Sequence, residues 1–154
     1  MDETPDQTLP TVLFVCVKNG GKSQIAAGLM RQAAGGRVQV LSAGTAPGGA
    51  VNALSAESLL EVGVDIRDQV PQPVTPGLLA AADLVVVLGR DAVVEPEDGT
   101  PVVTWDTDEP SERGISGMER MRLVRDDIAA RVDALAADLT TRSPGAGAAE
   151  VQQR

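Results

Sequence analysis

Histidine and tyrosine are absent from this chain of 154 residues, and cysteine, tryptophan and phenylalanine occur once each. A single thiol cannot close an internal disulfide or build a multi-thiolate zinc site, and without histidine the usual transition-metal sites and a Cys–His catalytic pair are excluded. No metal and no tightly bound cofactor are expected. There is no apolar run of about 18 residues to cross a membrane, and the opening "MDETPDQTLP" is acidic where a signal peptide would be basic and then apolar. The chain is therefore expected to stay in the cytoplasm. Its net charge of −9 argues against nucleic acid or an anionic membrane as a partner. Lysine is scarce as well: of thirteen Lys and Arg residues only Lys18 and Lys22 are lysines, and both lie within six positions of Cys16. A chain that otherwise uses arginine places its two compact point charges beside its only thiol.

What is present is enough for one domain, since 43% of the residues are hydrophobic. Residues 1–10 and 141–154 are polar, small or Pro/Gly-rich and are expected to be disordered tails around a domain spanning 11–140. Within it, "TVLFVC", "RVQVLSAG", "DLVVVLG" and "TPVVTW" read as buried strands. Helical patterns alternate with them: Ser23 to about Ala34, Asn52 to Val62, a short helix from about Pro76, and Gly117 to about Leu139. In the last, Met121, Val124, Ile128, Val132, Leu135 and Leu139 form one apolar stripe, with its charged residues on a solvated face. The fold class is α/β, a parallel sheet with helices on both faces.

The stretch "CVKNGGKSQ", Cys16 to Gln24, joins the first strand to the first helix. Gly21, Lys22 and Ser23 fit the end of a nucleotide-binding P-loop, but Cys16 stands where its first glycine belongs, and no Walker-B-like acid follows a strand directly. The N-terminus of a helix still offers unsatisfied N–H donors and roughly half a positive charge, so the loop from Val17 through Lys18, Asn19, Gly20, Gly21, Lys22 and Ser23 reads as an anion cradle. Gly20 and Gly21 allow close backbone approach, and Asn19 tolerates a positive φ. Cys16 at its mouth would have negative charge on sulfur favoured by the helix end, the loop amides and Lys22, and Ser23 is placed to donate its hydroxyl to the sulfur. That makes Cys16 the candidate nucleophile.

Cys16, five residues, a cation and Ser23 on a strand–loop–helix resemble the low-molecular-weight protein tyrosine phosphatase superfamily, where the cation is usually arginine. "LSAGT" (residues 41–45), "AESLLEVGVD" and "ADLVVVLG" are similar to it too, so the resemblance runs from about Val12 to Leu139. It implies a four-stranded parallel sheet between helices. With lysine at 22, the set "CVKNGGKSQ", "TWDTDEP" and "GMERMRLVRDDIAARV" resembles the actinobacterial mycothiol-dependent arsenate reductases, or arsenate-mycothiol transferases, which carry glycine where this chain has Lys18. The resemblance implies arsenate as substrate, mycothiol as thiol co-substrate adding to arsenic with loss of water, and a glutaredoxin-like mycoredoxin that reduces the adduct to arsenite. Relatives coupled to thioredoxin pass the oxidation through three of their own cysteines, whereas one cysteine leaves no internal resolving thiol.

The superfamily also implies a proton donor just before a proline after the last strand. Here that is Glu109, next to Pro110, with Asp108 one residue earlier; Trp105 before them reads as packing. Two other functions share the loop: a phosphotyrosine phosphatase, disfavoured by Lys22 and by the lack of tyrosine, and an oxyanion binder without turnover.

Overall fold

A computed structural model describes residues 9–96 and 99–141. Most of the two expected tails lies outside these residues; of the remainder, the Pro10 carbonyl accepts from Gln39 N–H at 2.8 Å and Thr141 closes the last helix.

The strands are β1 (Thr11–Cys16), β2 (Gln39–Gly44), β3 (Leu84–Leu88) and β4 (Val102–Trp105), and the helices are α1 (Lys22–Ala34), α2 (Ala53–Leu60), α3 (Pro76–Ala81) and α4 (Gly117–Thr141). All neighbouring strands are parallel, in the order β2-β1-β3-β4. The register sets Cys16 opposite Gly44. Side chains alternate across the two central strands. Val12, Phe14, Val86 and Leu88 pack with residues of α1, α2 and α4, while Leu13, Val15, Val85 and Val87 pack against Leu78 and Leu79 of α3. Both faces are covered, which is why the central strands read as unbroken apolar runs.

The outer strands differ from the expectation of burial. β4 is an edge, so Val102 and Val103 remain 38% and 41% exposed, and on the other edge Gln39 is exposed while Val40 and Leu41 are half-buried. Strand propensity cannot tell an edge from a centre; the number of neighbours does.

Asn52 caps α2, its Oδ1 accepting from Ser55 N–H at 2.9 Å, and the helix is shorter than the spacing predicts. Gly63, at φ +83°, turns the chain so that Val64 N–H reaches the Leu59 carbonyl at 2.9 Å. The stripe on α4 is buried as expected, with Leu135 half-covered. Arg125 departs from the solvated face assigned to it: its side chain is 11% exposed and donates to the Ser58 carbonyl and to Glu61 Oε1, both at 2.8 Å. Arg122 donates to the same carboxylate at 2.6 Å, so two arginines of α4 hold the end of α2.

These two guanidiniums, Arg122 first, pull Glu61 from its ordinary 4.5 down to about 2. A depressed carboxylate contributes stability above its unfolded pKa, and that contribution is lost as pH falls through the folded one. Glu61→Gln is expected to lower the urea midpoint near pH 7, and the difference from the parent protein should close between about pH 4.5 and about pH 2. A pH series of urea melts on both proteins checks this; a gap that stays constant with pH would show that packing, not charge, is responsible.

Candidate active site

Cys16 is the last residue of β1 and α1 starts at Lys22, so only five residues make the turn. Asn19 takes a left-handed conformation at φ +55°, and Gly21 caps α1 with no side-chain bond to its first turn. The segment after β2 wraps the outside of this loop. Thr45, Ala46, Gly48 and Asn52 N–H groups donate to the carbonyls of Cys16, Val17, Lys18 and Gly20 at 3.1, 2.8, 3.0 and 2.7 Å. With those carbonyls held outward, the N–H groups of Lys18, Gly20, Gly21 and Lys22 have no backbone partner among the described residues. Together with the start of α1 they form the donor nest expected of an anion site.

Cys16 is buried, and its Sγ lies 3.0 Å from Ser23 Oγ and 3.3 Å from the Asn19 N–H. Asn19 Nδ2 donates to Ser23 Oγ at 2.7 Å. That bond leaves the Ser23 hydroxyl proton free to point at sulfur. The Oδ1 of Asn19 accepts from Gln72 N–H at 3.0 Å and Gln24 Nε2 at 3.3 Å. Asn19 is fully buried, so these bonds hold the strained turn in a dry setting where each counts for more.

The two acidic candidates have different fates. Asp108 takes both arms of Arg113 at 2.8 and 3.1 Å, while its N–H donates to Asp127 Oδ2 at 2.8 Å. Arg113 holds its carboxyl below the usual aspartate range. Glu109 instead forms an ion pair with Lys22 at the rim of the cradle, just before a single 3-10 turn at Pro110–Arg113. The fold thus brings Cys16, Asn19, Ser23, Lys22 and Glu109 together and turns Asp108 toward Arg113. Lys18 is exposed on the outer rim. Trp105 packs on Phe14 with ring centroids 5.8 Å apart, a core contact.

Local sequence does not reveal the clamp around the loop. Gln72, between two prolines, reaches Asn19 from 53 residues away, and Arg113 meets Asp108 across an irregular turn with no helical spacing. Gly44 carried a signal, as part of "LSAGT". A Cβ there would stand 2.5 Å from the Val17 carbonyl oxygen and 3.0 Å from Asn19, so only glycine lets β2 pass under the loop. Gly44→Ala is expected to weaken phosphate binding by about tenfold or more through displacement of the loop, with the fold retained. Calorimetric titration with phosphate, beside a circular dichroism melt, checks this.

Low-molecular-weight phosphotyrosine protein phosphatases as a family match residues 11–144. Arsenate reductase 1 of Staphylococcus epidermidis is 33% identical over 133 residues, covering 82% of this chain and 95% of that protein. The arsenate reductase of Brevibacillus brevis is 35% identical, covering 79% and 90%. Among solved structures, the thioredoxin-dependent arsenate reductase Cg_ArsC1' of Corynebacterium glutamicum superposes with a TM-score of 0.73 at 32% identity. That match covers 86% of this chain and 63% of the other.

Proposed function

Because the chain belongs to the low-molecular-weight phosphotyrosine protein phosphatase family, with lysine at the cation position of its loop, we propose that it is an arsenate reductase of the arsenate-mycothiol transferase type. The observation that carries this reading is the single thiol lying inside a closed donor nest, with Lys22 and Glu109 at its rim. The relatives named arsenate reductases support arsenate as the oxyanion.

In the reaction we infer, arsenate is held by the loop N–H groups and Lys22. The Cys16 thiolate attacks arsenic, an As–O bond breaks, and Glu109 gives the departing oxygen the proton that makes it water. Ser23 and the Asn19 N–H, which bond to sulfur in the free protein, would steady Cys16 again as a leaving group. An external thiol then attacks arsenic and displaces Cys16, forming a thiol–arsenate adduct; arsenic is still As(V). Attack of a second external thiol on the sulfur of that adduct forms a disulfide and leaves the electron pair on arsenic, as arsenite.

The need for an external thiol follows from composition, and its identity from the resemblance of the loop to arsenate-mycothiol transferases. The Corynebacterium relative is named thioredoxin-dependent, but in this chain an oxidised Cys16 would find no second cysteine within the protein. On that resemblance of the loop we assign the thiol roles to mycothiol and a mycoredoxin of glutaredoxin type, in the cytoplasm. No helix among the described residues is long and apolar enough to cross a membrane.

A coupled assay tests the whole reading. Arsenite should form with mycothiol plus mycoredoxin, and much more slowly with glutathione or with thioredoxin alone. The family also makes a phosphatase the second reading, against which Lys22 lacks the planar fork that clamps a transferring phosphoryl group. Fast hydrolysis of p-nitrophenyl phosphate, with arsenate acting only as an inhibitor, would replace the first reading by the second.

A further inference from the structure

In the free protein Lys22 is already engaged, its ammonium paired with the Glu109 carboxylate. An oxyanion entering the nest needs the same ammonium. With a dianion in the loop and negative charge on Cys16, a carboxylate left on Lys22 would be a further like charge beside a single lysine. The side chains of Lys22 and Glu109 are 23% and 35% exposed, so the pair is free to open, but the displaced carboxylate needs somewhere to go.

One place is prepared. Lys22 and Glu109 share a cavity of about 90 Å³ with Gly21, Ser55, Arg120 and Met121. Arg120 stands on the first turn of α4. Its guanidinium has one side-chain contact, a weak one from Nη2 to Met121 Sδ at 3.4 Å, and no carboxylate among the described residues pairs with it. The other arginines of the same helix are all paired: Arg122 with Glu61, Arg125 with Glu61 and Asp126, and Arg131 with Asp127. An unpaired guanidinium on a residue that lines the same cavity as the acid and the cation, on a helix whose other arginines are all matched, is the feature the chemistry above leaves unused.

We propose that Arg120 is a positioning residue that takes the Glu109 carboxyl from Lys22 when an oxyanion binds. The hand-over frees Lys22 for the anion. It also keeps the Glu109 carboxyl at the rim of the nest. This rests on the catalytic roles given to Lys22 and Glu109, but its test uses inorganic phosphate and needs no turnover, so it can be read even if no thiol yields arsenite.

The test is a double-mutant cycle on phosphate affinity, measured by calorimetry with Arg120→Gln, Glu109→Ala and the double variant. In the parent protein, Arg120→Gln should weaken phosphate binding about tenfold, because the carboxylate then stays on Lys22. In the Glu109→Ala background the same change should cost less than about twofold, since nothing remains to be moved. Arg120→Lys should recover most of the loss, which a purely packing role for the side chain would not allow. An Arg120→Gln variant that binds phosphate as the parent does, or an equal loss in both backgrounds, would overturn the proposal.

Discussion

Cys16→Ser is expected to lower arsenate turnover by at least ~10⁴-fold, while phosphate still binds within about threefold of the parent affinity. The two numbers separate the roles of loop and sulfur. The nest is built from backbone N–H groups positioned by the 45–52 segment, by Asn19 and by the start of α1, and none of these contacts needs the thiol except the one from the Asn19 N–H. Serine keeps an acceptor there and a partner for Ser23, so the cradle should persist. What it removes is a thiolate: no histidine exists to act as a base on a hydroxyl, so the serine would remain protonated and inert. Single-turnover arsenite formation with mycothiol and mycoredoxin, together with phosphate calorimetry, makes the comparison. Arsenate turnover surviving in Cys16→Ser would mean that external thiols attack arsenic directly and that the protein only binds the anion. Loss of phosphate binding along with turnover would instead make the sulfur a structural part of the loop.

Glu109→Gln is expected to lower kcat by ~10²–10³-fold, and Asp108→Asn by less than about tenfold. Sequence alone placed the two carboxylates side by side, with Glu109 favoured by its place before Pro110. The structure ties both oxygens of Asp108 to Arg113 and turns Glu109 toward Lys22 at the start of α1, so only Glu109 stands at the rim of the loop. Glutamine preserves the size of Glu109 and a hydrogen-bonding group but cannot release a proton. Pre-steady-state rates of both variants would decide it, and an Asp108→Asn enzyme as impaired as Glu109→Gln would reassign the acid.

Much of the molecule was legible before any coordinates. The central strands could be placed because Leu13 to Val15 and Val85 to Val87 are apolar at every position, a pattern that only a sheet covered on both faces requires. The stripe from Met121 to Leu139 announced a helix with one buried side, and Asn52 and Pro76 marked the starts of two more. Cys16, Gly20, Gly21, Lys22 and Ser23 could be read as a cradle because a strand, a short glycine-bearing turn and a helix start leave their N–H groups converging wherever the rest of the chain goes. Those inferences rest on interactions within a few residues, which sequence carries directly.

What tertiary structure alone decided lies in contacts between segments far apart in the chain. Which strands are edges, and hence that Val102 and Val103 stay exposed, depends on sheet order. That Arg125 is buried against the end of α2, that Gln72 steadies Asn19, and that Glu109 faces Lys22 while Asp108 faces Arg113 depend on pairings spanning up to 87 residues, apart from the local Asp108–Arg113 pair. A charged side chain has no local preference among partners of opposite sign, so composition cannot say which carboxylate meets which cation. By itself the sequence determined that this chain has one thiol, a strand–loop–helix turn after it that leaves backbone N–H groups converging, and no second cysteine. Folding determined which acid stands beside that nest, because only packing of the β4–α4 connection against the start of α1 sets the distance between them.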